Sequence, residues 1–261
     1  MAVSRRSAHI TVMVEAAEKA GRSLVRDFGE VENLQVSRKG PGDFVSTADL
    51  KSEKIVLSIL QKARPKYSVL MEEGGKIKGE DKSFCWIIDP LDGTTNFLHG
   101  IPHWAVAISL EKDGEIVAGV TYDPVKDELF WAEKGVGAYV NNRRLRVTSR
   151  DSLREALVTG GNDVVFAPKE ISGIRRLGSA SLDLAYVAAG RLDGYWEYDL
   201  NPWDVAGGGL MVREAGGYAT TVAGDKDYVR KKSVLAANPA IHKLLMKSLA
   251  ANKTKSVKSA S

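Results

Sequence analysis

Residues 86–97 read Trp-Ile-Ile-Asp-Pro-Leu-Asp-Gly-Thr-Thr-Asn-Phe, and the interpretation of the whole chain begins from this stretch. Its opening apolar run predicts a buried strand, which Pro90 is expected to end. Asp89 and Asp92 then lie three residues apart on a rigid corner. Two carboxylates about 4 Å apart repel each other by roughly 4 kcal/mol at an effective dielectric constant near 20. The corner therefore needs a cation.

The ligand atoms at this corner are oxygens, which indicates Mg²⁺. This ion binds few carboxylates and keeps water molecules that a phosphate can replace, so the pattern is typical of a metal-dependent phosphatase. A calcium loop of the EF-hand type needs oxygen ligands at alternate positions and Gly at the sixth, whereas here the spacing is three and Gly93 is fifth. A simple Asp-Gly turn would explain Asp92 and Gly93 but not Asp89.

Bulk composition indicates a globular protein. The 261 residues suit one large domain or two closely packed halves. No apolar run approaches the roughly 20 residues of a membrane span, and the N-terminus does not resemble a signal peptide, so we expect no membrane contact. The single cysteine, Cys85, fits a reducing cytoplasm. The net charge of +4 comes from scattered residues and argues only weakly for nucleic acid binding.

Periodicity divides the chain near Arg150. Residues 1–150 predict an antiparallel α+β half that carries the Asp89–Asp92 corner, with helices over 10–28 and 46–63 and a hairpin that turns at Asp113. Residues 151–250 predict an α/β half that completes the site. The polar residues 251–261 predict a disordered tail. Further strands are expected at 68–71, 129–132, 138–140, 195–198, 218–221 and 234–237, and further helices from 182, 203 and 239.

Three motifs occur in order: Met-Glu-Glu at 71–73, Asp-Pro-Leu-Asp-Gly-Thr-Thr-Asn-Phe at 89–97, and Asn-Pro-Trp-Asp-Val-Ala-Gly at 201–207. With them the chain resembles the inositol monophosphatases, especially the bacterial members described as extragenic suppressor proteins. The resemblance extends from about Ile10 to about Leu249. It implies a layered α/β/α/β/α sandwich of the sugar phosphatase type, combining α+β and α/β parts, and usually a homodimer.

The resemblance also implies the metal ligands. Glu72, Asp89 and the carbonyl of Leu91 would hold a first Mg²⁺, and Asp89, Asp92 and Asp204 a second, with two or three ions in all. Taken alone, Asp204 would be read as a helix N-cap and Glu72 as a solvated loop acid. The presence of the Asp89–Asp92 pair favours the ligand role for both.

Roles in the reaction follow from the same resemblance. Thr94, with Asp49 behind it, would orient the attacking water, and Glu72 would bind that water or help to activate it. The backbone amides of Gly93 and Thr94, near the start of a short helix, can hold phosphate oxygens. No covalent intermediate is required.

Substrate contacts are implied at two further places. Gly178, Ser179 and Ala180 match a turn before a helix, where amides meet substrate hydroxyls. Glu197 occupies the position of a hydroxyl-binding acid, although such a residue could also be an exposed strand acid. Residues 157–176 depart from the family, because they are too few for the usual strand, helix and strand, and this affects the expected substrate entrance and dimer contacts.

The function implied is Mg²⁺-dependent, lithium-sensitive hydrolysis of a phosphate monoester by metal-activated water. Inositol 1-phosphate is the favoured substrate. The alternatives are a sister phosphatase for fructose 1,6-bisphosphate, histidinol phosphate or 3′-phosphoadenosine 5′-phosphate, or a protein that binds the transcription machinery.

Overall fold

A computed structural model of the chain describes residues 6–30, 36–40, 43–161, 167–168 and 170–259. The helices are α1 (Ala8–Phe28), α2 (Thr47–Ala63), α3 (Thr94–Leu98), α4 (Ala180–Ala188), α5 (Pro202–Glu214) and α6 (Pro239–Ser259). The strands are β1 (Val36–Gly40), β2 (Asp43–Ser46), β3 (Tyr67–Met71), β4 (Gly75–Ile77), β5 (Asp81–Asp92), β6 (Ala105–Lys112), β7 (Glu115–Asp123), β8 (Glu128–Glu133), β9 (Gly137–Val140), β10 (Arg143–Arg144), β11 (Leu157–Gly160), β12 (Gly173–Arg175), β13 (Gly194–Tyr198), β14 (Tyr218–Thr220) and β15 (Ser233–Ala237).

The elements stack in five layers. One face of an eight-stranded sheet, in the order β10-β9-β8-β7-β6-β5-β3-β4, is covered by α1 and α2. Helices α4 and α5 fill the space between this sheet and a five-stranded sheet, β12-β11-β13-β15-β14, whose far face is covered by α6. This confirms the predicted α/β/α/β/α sandwich. The boundary predicted near Arg150 stays a prediction, because α4 and α5 pack against both sheets.

Strand residues alternate between the layers because successive side chains of a strand face opposite sides. In β5, Trp86 and Ile88 join the core beneath α1 and α2, while Ile87 joins the middle core with α4 and α5. In β13, Tyr195 faces the middle core and Trp196 faces α6. The continuous apolar run at the start of residues 86–97 is thus a strand buried on both faces.

Helix α2 begins as the sequence predicts. The backbone amide of Ser46 donates to Asp49 Oδ2 over 2.9 Å, and the amide of Ala48 donates to Ser46 Oγ over 3.2 Å. The first bond belongs to a capping box between Ser46 and Asp49, and both bonds satisfy amides that have no partner inside the helix. The same Asp49 therefore fixes the helix start and, as shown below, reaches the site.

The prediction that Pro90 ends the strand is wrong. Strand β5 continues to Asp92, with Asp89 opposite Ala107 and Asp92 opposite Ala105 of β6. Three steps on one strand thus match two on the other, which is a β-bulge. Proline is tolerated there because its missing N–H breaks no regular ladder bond. Residues three apart would normally face opposite sides of a strand, but the extra residue brings both aspartates to the same side.

Two other segments bear on the predictions: the C-terminal end of α6 and residues 157–176. Helix α6 continues to Ser259, where a disordered tail was predicted from residue 251. A helix packed through Ile241, Leu245 and Leu249 can propagate through following Ala and Lys residues, which are good helix formers. In residues 157–176 the described part forms β11 and β12, which pair in parallel. Residues 162–166 and 169 of this segment lie outside the described residues.

None of the helices in the described ranges combines the length and the apolar character that a bilayer crossing needs.

Helix α5 approaches the first sheet closely at two glycines. A Cβ atom on Gly119 of β7 would lie 2.6 Å from the Cα of Gly207 on α5. The helix can therefore sit directly on the strand backbone. Asp204 is about one turn away on the same helix, so the contact between Gly119 and Gly207 also determines how far Asp204 lies from the sheet.

We predict that Gly119→Ala lowers the free energy of unfolding by about 1–3 kcal/mol, because the new methyl group meets backbone that cannot move aside without shifting α5. Urea denaturation measures the effect. Gly29→Ala is the matched control, since its nearest neighbour would be 3.5 Å away and its φ is −70°. An unchanged midpoint for Gly119→Ala would contradict the close seating of α5.

Candidate active site

An acidic corner forms where β3 and β5 end. The two strands are parallel, with Met71 opposite Ile88, so the next residues, Glu72 and Asp89, emerge side by side. The amide of Glu72 donates to the carbonyl of Ile88 over 3.2 Å, which ties the two strand ends together. Asp92 follows beyond the bulge. Asp89 is 2% exposed and Asp92 8% exposed.

The acids of this corner affect one another electrostatically. Burial raises the pKa of Asp89 well above its usual range, and the charges of Glu72, Asp92 and Asp204 raise it further. Burial also raises the pKa of Asp204 well above its usual range, and the charges of Asp92 and Glu72 add to this effect. The structure thus places the four side chains that the resemblance implies as metal ligands within electrostatic range of one another. Their mutual repulsion is what a divalent cation would offset.

Protein donors hold part of each carboxylate. Asp89 Oδ1 accepts from the amide of Leu91 over 3.0 Å. Asp92 Oδ2 accepts from the hydroxyl of Ser179 over 2.6 Å and from the amide of Ser181 over 2.7 Å. Burial raises the pKa of Asp92, while these bonds lower it. The carboxylates are therefore held in place by backbone amides and hydroxyl groups. These donors are neutral, so they do not repel a cation as a lysine or arginine side chain would.

Asp204 has a similar anchor at the start of α5. Its Oδ2 accepts from the amide of Asn201 over 2.6 Å, in a capping box whose N-cap is Asn201. The alternative interpretation of Asp204 as the helix N-cap is wrong in position, because Asn201 is the N-cap and Asp204 joins the capping box from the third helical position. The cap and the acidic corner use the same side chain.

The fit to Mg²⁺ rests on the chemistry of the donor set. All the candidate ligand atoms are oxygens. The carbonyl oxygen of Leu91 lies 3.0 Å from Thr94 Oγ1. In the part of the chain that the structure describes, however, no three Asp, Glu, His or Cys side chains are drawn together tightly enough to form a preformed metal cage. The ligand roles of Glu72, Asp89, Leu91, Asp92 and Asp204 stay a prediction.

Thr94 and Asp49 meet as the resemblance implies. The hydroxyl of Thr94 donates to Asp49 Oδ1 over 3.0 Å, and Leu91 O is a second acceptor at the same distance. Asp49 is fully buried, and its other oxygen accepts from the amide and the hydroxyl of Ser46. Burial raises the pKa of Asp49 against these bonds. The contact spans 45 residues of sequence and joins α2 to the start of α3.

Gly93 is the N-cap of α3 and has a φ of 93°, a region that favours glycine. A Cβ atom there would lie 3.1 Å from the carbonyl oxygen of His103 and 3.2 Å from that of Gly178. Glycine is therefore required both by conformation and by space. Phosphate binding by the Gly93 and Thr94 amides stays a prediction.

A pocket of about 630 Å³ opens beside the corner, a size typical of small-molecule sites. Its lining residues are Asp92, Thr95, Asn96, Gly160, Gly161, Arg176, Leu177, Gly178, Ser179, Ala180, Glu197, Leu200 and Asp204. The structure therefore brings the predicted substrate residues of the α4 turn and Glu197 to one pocket with two of the predicted metal ligands. Glu72, Asp89, Gly93 and Thr94 do not line it.

Several supporting residues were missed by the sequence interpretation. Ser181 donates its amide and its hydroxyl to Asp92. Asn96 donates to the carbonyls of His103 over 2.8 Å and Leu177 over 2.7 Å, which joins α3 to the segment before α4. The fully buried Tyr195 donates its hydroxyl to Glu197 over 2.7 Å. Only Asn96 lies within a quoted motif, so it alone could have been singled out beforehand.

Five alternating layers, with an acidic corner at the ends of β3 and β5 and a polar pocket beside it, define the sugar phosphatase class of layered sandwich. The model of the inositol monophosphatase family matches residues 6–254. The chain belongs to the inositol monophosphatase family, a family of phosphoric monoester hydrolases, and the resemblance drawn from the sequence is confirmed.

Similar proteins cover nearly the whole chain. The protein named inositol-1-monophosphatase from Mesorhizobium japonicum is 55% identical over 257 residues, covering 94% of this chain and 97% of that protein. The protein named Nus factor SuhB from Escherichia coli K12 is 40% identical over 250 residues, covering 91% and 94%. The crystal structure of the extragenic suppressor protein suhB from Bartonella henselae is 56% identical with a TM-score of 0.91, covering 93% and 98%.

We predict that Asp89→Asn stabilises the metal-free protein at neutral pH. The raised pKa means that the folded state holds the Asp89 proton more tightly than the unfolded state, so ionisation destabilises the fold as pH rises above the unfolded value of about 3.9. Asparagine cannot ionise and can still accept from Leu91. Urea denaturation in EDTA should give the variant a larger free energy of unfolding at pH 7.5, with the difference shrinking toward pH 4.

The matched control is Asp151→Asn, at an exposed position away from the corner. It should leave the free energy of unfolding nearly unchanged across the same pH range. A loss of stability in Asp89→Asn at pH 7.5 would contradict the repulsion on which the metal assignment depends.

Proposed function

We propose that this protein hydrolyses phosphate monoesters in a Mg²⁺-dependent reaction and that inositol 1-phosphate is its substrate. The observation that carries the proposal is the position of the acids: Glu72 and Asp89 emerge side by side at the ends of β3 and β5, and Asp92 and Asp204 line the polar pocket beside them. Buried acidic side chains that repel one another favour a cation bound between them. The relatives named inositol-1-monophosphatase support the choice of substrate.

Two or three Mg²⁺ ions are assigned to the corner. Glu72, Asp89 and the carbonyl of Leu91 would hold one ion, and Asp89, Asp92 and Asp204 another. When bound, Mg²⁺ supplies Lewis acidity, which lowers the pKa of a coordinated water and offsets charge on the leaving oxygen.

The protein's own contribution to the attack is a hydroxyl and a base. Asp49 Oδ1 accepts the hydrogen of Thr94 Oγ1, which leaves the threonine oxygen free to accept a hydrogen from a water beside the phosphate. The raised pKa of Asp49 suits it to accept the Thr94 hydroxyl proton while Thr94 takes a proton from the water. Glu72 is assigned as a second acceptor for that water. The Gly93 and Thr94 amides would hold the phosphate oxygens.

The alcohol part of the substrate is assigned to the pocket beside the corner. Glu197 enters this pocket from the end of β13, and the Tyr195 hydroxyl holds its Oε2. A carboxylate fixed in this way can accept hydrogen bonds from neighbouring ring hydroxyls. The turn at Gly178, Ser179 and Ala180 faces the same pocket, where backbone amides can donate to hydroxyl oxygens.

Lithium sensitivity, a homodimer and a cytoplasmic location belong to the same proposal. They follow from the resemblance to the family, and the single cysteine is compatible with a reducing compartment.

A second candidate function is contact with the transcription machinery. It is favoured by the relatives named Nus factor SuhB, which are 40% identical to this chain. We place it second because the relatives named inositol-1-monophosphatase are 52–55% identical.

The purified protein should release inorganic phosphate from inositol 1-phosphate with Mg²⁺, less with added Li⁺, and not in EDTA. Asp89→Asn should lower kcat/KM by more than the ~10–100-fold that loss of a group behind a metal ligand typically costs. Asp151→Asn should retain full activity.

The same phosphate-release assay should include fructose 1,6-bisphosphate, histidinol phosphate and 3′-phosphoadenosine 5′-phosphate. A higher kcat/KM for one of these would replace inositol 1-phosphate as the substrate. Full activity of Asp89→Asn in Mg²⁺ would end the two-metal assignment.

Glu197→Gln should lower kcat/KM for inositol 1-phosphate by about 10-fold, because glutamine replaces a charged acceptor, whose hydrogen bond contributes roughly 1.5–3 kcal/mol, by a neutral acceptor, whose hydrogen bond contributes roughly 0.5–1.5 kcal/mol. An aryl phosphate, which offers no ring hydroxyls, should be hydrolysed at nearly the original kcat/KM. Equal losses on both substrates would remove Glu197 from substrate recognition.

A further inference from the structure

Helix α2 carries two buried polar side chains that the proposed reaction does not use. Ser52 is fully buried and Glu53 is 7% exposed. Together with Asp49 they occupy positions i, i+3 and i+4, which lie on one face of a helix. This face is turned toward the acidic corner, because Asp49 reaches Thr94.

Each of the three side chains contacts a different segment of the corner. Asp49 holds the start of α3 through Thr94. Ser52 donates its hydroxyl to the carbonyl of Pro90 over 2.7 Å, inside the β5 bulge. Glu53 accepts a hydrogen bond through Oε2 from the amide of Glu73 over 2.9 Å. One turn of one helix therefore holds three places at the corner: the turn at Glu73, the β5 bulge at Pro90 and the start of α3 at Thr94.

The contact made by Glu53 bears directly on Glu72. The Glu73 amide belongs to the peptide group that follows the Glu72 Cα atom, and the Glu72 amide belongs to the peptide group that precedes it. The first is bound by Glu53 and the second by the carbonyl of Ile88. With both flanking peptide groups held, the backbone dihedral angles of Glu72 are fixed, and so is the direction of its Cα–Cβ bond.

The fit between Glu53 and this turn is close. A Cβ atom on Gly74 would lie 2.9 Å from Glu53 Oε1 and 2.9 Å from the terminal methyl of Met71. The carboxylate thus packs against the turn as well as binding its amide. A side chain one methylene shorter could not reach the same amide without moving α2 or the turn.

We propose that Glu53 is a positioning residue that aims Glu72 at the Mg²⁺ site. This inference rests on the proposed function, because it assumes that Glu72 is a ligand. Glu53 acts through the Glu73 amide, and its reach rather than its charge is what matters. The rival explanations are that the negative charge of Glu53 attracts the cation at a distance, or that the bond only stabilises the fold.

Two substitutions separate reach from charge. Glu53→Gln removes the charge but keeps an oxygen that can accept from the Glu73 amide. Glu53→Asp keeps the charge but shortens the side chain by one methylene. Glu15, an exposed acid of α1, provides the matched controls Glu15→Gln and Glu15→Asp.

The primary measurement is isothermal titration calorimetry of the full-length protein with MgCl₂ alone, which needs no substrate. Glu53→Asp should raise the Kd for Mg²⁺ by about 10-fold, as expected for losing a group that orients a metal ligand. Glu53→Gln should stay within about threefold of the original Kd, and both Glu15 variants should leave it unchanged. In the hydrolysis assay, Glu53→Asp should raise the Mg²⁺ concentration for half-maximal rate more than it lowers the saturated kcat.

Melting temperatures in EDTA identify a purely structural effect. If Glu53→Asp lowers the metal-free Tm but leaves the Kd for Mg²⁺ unchanged, the positioning role is wrong. If Glu53→Gln weakens Mg²⁺ binding as much as Glu53→Asp or more, charge is responsible and the proposal is overturned. If the unsubstituted protein binds no Mg²⁺, the proposed function fails first. Normal binding by the unsubstituted protein together with normal binding by Glu53→Asp overturns this inference alone.

Discussion

The bulge in β5 is the constraint on which the rest of the site depends. Between Asp89 and Asp92 the strand contains one residue more than β6 opposite it, and Pro90 occupies the irregularity. The extra residue turns two aspartates that would face opposite layers toward one corner. Every other group of the site is arranged around that corner, by the parallel end of β3, by α2 and by the first turn of α5.

The corner combines high electrostatic strain with a rigid frame. Burial raises the pKa of Asp89, Asp92 and Asp204, and the charges of neighbouring acids raise the pKa of Asp89 and Asp204 further. Amides and hydroxyls hold one oxygen of each carboxylate in place. A frame of this kind keeps acids together that would otherwise move apart. Under the proposed Mg²⁺ assignment, a bound cation would offset the repulsion between these acids.

Local patterns in the sequence located the main helices and several strands, whereas the layered sandwich was implied by the family resemblance. Helical periodicity located α1, the Ser-Thr-Ala-Asp stretch at 46–49 located the start of α2, and the turn at Asp113 located the hairpin of β6 and β7. The end of β5 was wrong because a bulge depends on the partner strand, which a local rule about proline ignores. Ser181 and Glu53 were missed because their partners lie 89 and 20 residues away in the chain. Spacing identifies the acids, whereas only the tertiary structure identifies what holds them.

Residues from both sheets line the pocket. The corner with Asp92 belongs to the eight-stranded sheet, whereas Gly160 and Glu197 project from β11 and β13 of the five-stranded sheet. Under the proposed roles, bond breaking and the choice of alcohol are thus encoded in separate layers of the sandwich. Mutations in the second sheet can retune which ester is accepted while the hydrolytic apparatus is inherited intact, so one ancestral scaffold can diversify without first losing its chemistry.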